Sequence, residues 1–145
     1  MKVLSENRRA KFDYEILETY EAGIELTGQE VKSAKSGRFN LAGSYGILRN
    51  HEAWLLNSEI PAYQPKNAPT DYDPKRSRRL LLRREEIKKL IGKLHEKSLR
   101  LVPLRAYIKK NFIKIELGVG QPRKKSDKRE VLKKRATERE IREAR

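Results

Sequence analysis

The sequence predicts a mainly β fold: a small antiparallel barrel of the oligonucleotide-binding type, flanked by α-helices and followed by a basic C-terminal tail. Three observations carry this expectation. Apolar and polar residues alternate with period two in several short runs, the pattern of strands with one buried face. Two other stretches carry helical spacing or a helix-start signature. Past Gly120 the residues turn mostly charged, and Val131, Leu132 and Ile141 make too thin an apolar stripe to dock firmly on a core. About six strands and two helices then fall within residues 1–120, and closing the sheet removes its exposed edges. The domain reading is a barrel over 1–120 and a tail over 121–145.

Taken in order, Lys11-Phe12-Asp13-Tyr14-Glu15-Ile16 alternates apolar and charged residues and reads as the first strand, running on to Tyr20. Glu21-Ala22-Gly23 reads as a turn and Ile24-Glu25-Leu26 as its return strand. A short helix follows. Thr27 and Glu30 have capping-box spacing, Val31 and Ala34 share a face, and Gly37 suits a left-handed C-terminal position. Residues Ser44–Leu48 and Ala53–Ile60 form a hairpin turning near Asn50-His51. His51 stands where a tight Asn-Gly turn would carry glycine, which predicts a looser turn.

Pro61, Pro65, Pro69 and Pro74 punctuate a polar stretch expected to be an exposed, mobile loop. Leu80-Leu81-Leu82 reads as a short buried element. From Arg84 to Lys97, Ile87, Leu90, Ile91 and Leu94 follow helical spacing, with Glu85 and Glu86 in the first turn and His95 and Lys97 in the last, as the helix dipole favours. Val102, Leu104, Ala106 and Ile108 alternate, as do Ile113, Ile115, Leu117 and Val119, with Lys109-Lys110-Asn111 as the turn between them. Gln121-Pro122 is expected to break the last strand. The tail beyond it reads as disordered or frayed when free and able to become helical against an anionic surface.

Charge narrows the function. The chain has 35 Lys+Arg against 20 Asp+Glu, a net charge of +15, and such an excess of one sign points to a polyanionic partner. Three basic groups concentrate it: Arg8, Arg9 and Lys11; Lys75, Arg76, Arg78 and Arg79; and Arg123, Lys124, Lys125, Lys128 and Arg129. Such groups bind phosphates without regard to sequence, through counterion release. Tyr14, Tyr45, Trp54, Tyr63 and Tyr107 have the chemistry to stack on unpaired bases, but strand positions make most of them core residues, and Trp54 alternates as a buried one would. No apolar run is long enough to span a membrane.

Catalysis finds little support. There is no cysteine to act as nucleophile or thiolate ligand. Asp71 and Asp73 resemble turn residues, His95 suits a helix end and His51 a turn, so no metal site or cofactor is implied. Neither a P-loop nor a nucleophile elbow occurs. Glu30 stays open between two roles. It can complete the cap with Thr27, which the spacing favours, or accept a hydrogen bond from a guanine edge or ribose hydroxyl.

Several segments, in order, resemble the SsrA-binding protein family (SmpB, small protein B). Asn7-Arg8-Arg9-Ala10 with Asp13-Tyr14-Glu15-Ile16 is similar to its opening motif, and Glu21 to Ser33 to its most distinctive block. Asn40-Leu41 with Ser44-Tyr45, Arg79 to Leu82 with Glu86-Ile87, Val102-Pro103-Leu104 with Tyr107, and Asp127-Lys128-Arg129 continue the resemblance over nearly the whole chain. The resemblance implies an oligonucleotide-binding-type barrel that binds the tRNA-like domain of transfer-messenger RNA. It further implies a cytoplasmic monomer that helps elongation factor Tu deliver this RNA to stalled ribosomes, with the tail entering the empty mRNA channel.

By motif position the resemblance makes Asn7, Tyr14, Glu30 and Lys32 candidates for contact with the tRNA-like domain. Lys124, Lys125, Asp127, Lys128 and Arg129 become candidates for the ribosomal end. The chain departs from the family pattern at Pro122 and Ser126 in the tail, and Ser98 and Asn111 replace usual glycines, for which local turn adjustments are expected.

Overall fold

The two hairpins and the long central helix form where local patterning places them, and long-range pairing assembles the rest. The computed structural model describes residues 1–95, 98–124, 128–130 and 132–136. In chain order the elements are β1 (Lys2–Glu6), α1 (Arg8–Asp13), β2 (Tyr14–Ile24), α2 (Gly28–Lys35), β3 (Tyr45–Arg49) and β4 (Glu52–Leu56). A 3₁₀ turn at Pro65–Asn67 follows, then β5 (Arg78–Leu81), α3 (Arg84–His95), β6 (Arg100–Lys109) and β7 (Phe112–Pro122). Residues 128–130 and 132–136 are helical.

The antiparallel pairings close a ring: β6 to β3, β3 to β4, β4 to β5, β5 to β2, β2 to β7, and β7 back to β6. The seam at β3–β6 is narrow, with Gly46 opposite Leu101 as its register pair. A Cβ on Gly46 would come within 2.6 Å of Leu101 Cδ2 and 2.8 Å of its Cγ, so glycine lets the two strands meet there. β1 lies beside the other end of β6, from Glu6 opposite Arg105 to Lys2 opposite Ile108. Pro103 is accommodated in β6 because a register irregularity falls between it and Arg105.

Inside the ring, Ala22, Leu55, Leu80, Leu101, Ile115 and Leu117 are fully buried, and Leu90 of α3 and Ala34 of α2 join the same cluster. A second, smaller cluster joins Ala10 of α1 to Val102 and Leu104 of β6, with Tyr14 and Ile16 packed against it.

Local signals hold in several places. The β3–β4 turn is tight, with Arg49 opposite Glu52 and both Asn50 (φ 51°) and His51 (φ 60°) in the left-handed region, so the missing glycine did not loosen it. Ser98 (φ 71°) and Asn111 (φ 66°) likewise keep the left-handed backbone that glycine would otherwise supply. Gly37 is left-handed just past α2, as its position predicts (φ 88°).

Other expectations are corrected. Residues Lys11 to Asp13 belong to α1 and not to a strand, because Ala10 turns inward to the small cluster and the backbone N–H of Asn7 donates to the Leu104 carbonyl (2.8 Å). Glu21-Ala22-Gly23 is no turn. β2 continues through it, paired with β7 and, at Gly23 and Ile24, also with β5. Gly23 serves the close approach of Leu81, whose Cβ would lie 3.2 Å from an added methyl group.

Among the described residues seven strands stand where six were expected: β1 and β5 are added, and the two strands expected on either side of Glu21–Gly23 are the single strand β2. β7 also runs past Gly120, because Pro122 still pairs with Tyr14 at the strand end, beyond the reach of β6, where its missing N–H costs nothing. Of the buried element at Leu80–Leu82, Leu81 proves 45% exposed. α3 is described to His95, so the expected last-turn Lys97 lies outside the described residues.

Candidate nucleic-acid interface

Asn7 and Tyr14 bracket α1 and are brought together at one cleft. Asn7 is buried, its Nδ2 donating to the Pro103 carbonyl (2.9 Å), so it anchors α1 on β6 and presents little of itself to solvent. Tyr14 opens β2 half-buried, resting on Gly120, where even a Cβ would stand only 2.8 Å from Tyr14 Cβ. Between them lies a cleft of about 460 Å³ walled by Arg9, Asp13, Tyr14, Tyr45 and Arg100, with Val102 among its apolar lining. The Arg9 side chain in its wall is 73% exposed, and that of Arg8, which lines a separate cleft with Lys11 and Arg105, is 91% exposed. Two tyrosines and two arginines around a part-apolar cleft offer faces for a base or sugar and cations for phosphate. The signal for Arg100 and Tyr45 as cleft residues is absent from local sequence, since β3 and β6 meet only through the seam.

Glu30 and Lys32 lie on α2, outside that cleft. Lys32 is exposed. Glu30 is not: it has no accessible surface, and both carboxylate oxygens are taken. The Thr27 N–H donates to Glu30 Oε1 (2.9 Å) and Thr27 Oγ1 accepts from the Glu30 N–H (3.2 Å), so the capping box exists. Arg76 adds Nη2 to Oε1 (2.5 Å) and Nε to Oε2 (3.1 Å), and Arg78 adds Nε to Oε2 (2.8 Å). Arg78 is itself fully buried and donates further to the Ser58 and Pro74 carbonyls.

Burial alone would raise the Glu30 pKa, but the hydrogen bonds from Arg76, from the Thr27 amide and from Arg78 outweigh it and hold the carboxyl below its ordinary value. A carboxylate so enclosed has no free lone pair to offer a nucleic acid. Its place is to join α2 to the strand and loop that carry Arg76 and Arg78.

The basic run before Leu80 is therefore split. Arg78 is an internal counter-ion, whereas Arg76 keeps a side chain 37% exposed. A period-two signal marks this: Arg78 and Leu80 are buried while Arg79 and Leu81 are not. Trp54 is likewise moved from the expected interior to the outer face of its strand, because Ala53 and Leu55 take the inward positions.

In the tail, the Arg123 N–H donates to the Asp13 carbonyl (2.9 Å) and the Lys128 ammonium lies 3.2 Å from Asp13 Oδ1. Lys124 and Arg129 are exposed, and Lys125, Ser126 and Asp127 lie outside the described residues. Among the described residues no group of three or more His, Cys, Asp or Glu side chains gathers to hold a metal ion, and no helix is long and apolar enough to cross a membrane.

A closed antiparallel barrel with a basic, tyrosine-walled cleft and a basic tail defines the class of small oligonucleotide-binding barrel proteins. Comparison with known proteins narrows the class. The SmpB protein family model matches residues 4–145. An SsrA-binding protein of Gloeothece citriformis is 52% identical over 143 residues, covering 99% of this chain and 92% of the relative. One of Synechococcus elongatus is 51% identical over 144 residues, covering 99% of this chain and 94% of the relative. A solved chain from "tmRNA-SmpB: a journey to the center of the bacterial ribosome" superposes with a TM-score of 0.68 at 45% identity, covering 83% of this chain and 84% of that one. The chain belongs to the SmpB protein family.

Proposed function

We propose that the chain is an RNA-binding factor of trans-translation, which binds the tRNA-like domain of transfer-messenger RNA and helps deliver it to stalled ribosomes. The observation that carries this reading is kinship over nearly the whole of this chain. Relatives named SsrA-binding protein share about half of their residues with nearly all of this chain, and the solved relative was seen with tmRNA at the ribosome. The cleft at α1 supports it physically. Tyr14 and Tyr45 offer ring faces, and Arg9 and Arg100 offer phosphate contacts.

In this reading Tyr14 and Lys32 touch the tRNA-like domain, whereas Asn7 and Glu30 contribute by holding α1 and α2 in place. The tail residues Lys124, Lys125, Asp127, Lys128 and Arg129 meet ribosomal RNA in the empty mRNA channel. The protein acts without catalysis, as a cytoplasmic monomer, beside elongation factor Tu.

Gel-shift titration against the transcribed tRNA-like domain tests the first half. Arg9→Ala and Arg100→Ala should each lower the slope of log K against log salt by ~0.7–0.9 per lost phosphate contact. Equal affinity for an unrelated RNA hairpin would overturn the proposal. The double variant Lys128→Glu/Arg129→Glu should keep that affinity yet lose peptide tagging on stalled ribosomes in a reconstituted translation system. Loss of both together would contradict the division between barrel and tail.

A further inference from the structure

Trp54 is the sole tryptophan of the chain, and it is not spent on the core. The inward positions of β4 go to Ala53 and Leu55, neither of which has accessible surface, so Trp54 stands half-buried on the outer face of the sheet. Its cross-strand neighbours are Ile47 on β3 and Arg79 on β5, and further along the same hairpin Tyr45 faces Leu56. An apolar row two strands wide therefore looks outward from a chain of net charge +15.

This face holds a pocket of about 340 Å³, lined by Ile47, Trp54 and Leu56 together with Arg49, Glu52 and Ser77. Its polar groups sit at the two ends. Arg49 and Glu52 are a register pair and close the end at the β3–β4 turn. Ser77, just before β5, lies at the other, since Arg78 pairs with Leu55. The Glu52 side chain is 40% exposed, and its carboxylate stands 3.8 Å from Arg79 Nη2, too far for a hydrogen bond, so it keeps lone pairs for a ligand. Glu30, with both oxygens taken, is its opposite.

Base chemistry selects the ligand. A flat ring with apolar faces and a polar edge suits an apolar floor that ends in polar groups. Two carboxylate oxygens side by side accept from two parallel N–H donors, and on their pairing edges only guanine among the four RNA bases carries that pair, at N1 and N2. Adenine and cytosine set a ring acceptor beside their amino group, and uracil flanks its single N–H with carbonyls. Each would press an acceptor against a carboxylate oxygen.

We propose that Trp54 and Glu52 form a pocket for one unpaired guanine of an RNA strand. The indole stacks on the base, the Glu52 carboxylate accepts from N1–H and N2–H, and Arg49 meets the adjoining phosphate. This rests on the reading of the chain as an RNA-binding factor and adds a base-specific contact to it. Ile47 lines both this pocket and the tyrosine-walled cleft, so a single strand can pass from one to the other.

The sole tryptophan is its own reporter. Titration of the full chain with the trinucleotides UpGpU, UpApU and UpCpU should quench Trp54 fluorescence, with UpGpU bound about tenfold more tightly than the other two. Glu52→Ala should reduce that preference to within about twofold, because the lost charge alters phosphate attraction equally for all three. Followed by calorimetry, Trp54→Ala should lose about fivefold or more in UpGpU affinity, whereas Trp54→Phe keeps a ring and most of the binding, which separates lost stacking from a lost fold.

Equal affinity for the three trinucleotides, or a guanine preference that survives Glu52→Ala, would overturn the pocket. Quenching by none of them would overturn it too and return the apolar row to a protein partner. If the tRNA-like domain binds specifically while Trp54 stays unquenched by UpGpU, the pocket alone fails. If that domain binds no better than an unrelated hairpin while UpGpU is still preferred, the proposed function fails and the pocket stands.

Discussion

Replacing Glu30 by Gln isolates the charge of a buried carboxylate from its shape. Glutamine at the third helical position still supports the capping box with Thr27, so the start of α2 keeps its cap. What disappears is the negative charge between Arg76 and Arg78. Arg78 is fully buried, with its Nη2 2.7 Å from Glu30 Oε2, and has no water to turn to. Removing one partner of a buried pair costs about 3–5 kcal/mol, because the remaining charge is left uncompensated. Arg76, being part-exposed, recovers hydration and adds little.

For a chain of this size that loss corresponds to a fall in Tm of roughly 10–20 °C. Urea unfolding followed by circular dichroism measures it directly. The double variant Glu30→Gln/Arg78→Met should recover at least about 1 kcal/mol relative to the sum of the single losses. A pH series adds a second readout. The folded carboxyl sits below its ordinary value of 4.5, so its stabilisation is complete above that pH and is lost as pH falls through the folded pKa. The wild type should thus show an acid limb that Glu30→Gln lacks. A stability loss under about 1 kcal/mol, together with a tenfold or greater loss of RNA affinity in the folded variant, would refute this reasoning and return Glu30 to direct RNA contact.

Other perturbations follow from close contacts and hydrogen bonds. Gly46→Ala drives a methyl group into Leu101 at the β3–β6 seam and should cost about 1–3 kcal/mol in denaturant unfolding, with faster amide exchange in β3. Gly120→Ala pushes against Tyr14, so it should weaken binding of the tRNA-like domain by more than its effect on Tm accounts for; unchanged affinity would remove Tyr14 from the interface. Tyr107→Phe removes the hydroxyl that donates to Glu21, and should cost about 0.5–1.5 kcal/mol. With that hydrogen bond gone, the depressed Glu21 pKa should rise toward its ordinary value, which carboxyl-resonance NMR would follow.

What could be read ahead of the structure is what neighbours along the chain decide. The alternation of residues 102–108 and 113–119, the helical spacing of Ile87, Leu90, Ile91 and Leu94, and the Thr27–Glu30 cap are local, and each appears where its pattern places it. The motif resemblance reached further, to family and partner, because ordered blocks along a chain carry more information than any one periodicity.

Errors arose where distant segments settle the outcome. Lys11 to Asp13 alternate like a strand, yet they lie in a helix that Asn7 and Ala10 seat on Leu104 and Val102. Trp54 and its neighbours alternate equally well with either face inward, and only the packing of Ala53 and Leu55 inside the ring chose between them.

The barrel was thus determined by the sequence in its strands and turns, but its closure was decided by tertiary structure, through a seam that only the absence of a side chain at Gly46 permits. Charge followed the same division. The total of +15 was plain from composition and pointed to a polyanion. Which cations remain available was not, because Arg78 is spent on Glu30 across 48 residues. Counter-ions in a folded protein are chosen by proximity in space, and a linear pattern carries that only after the sheet has closed.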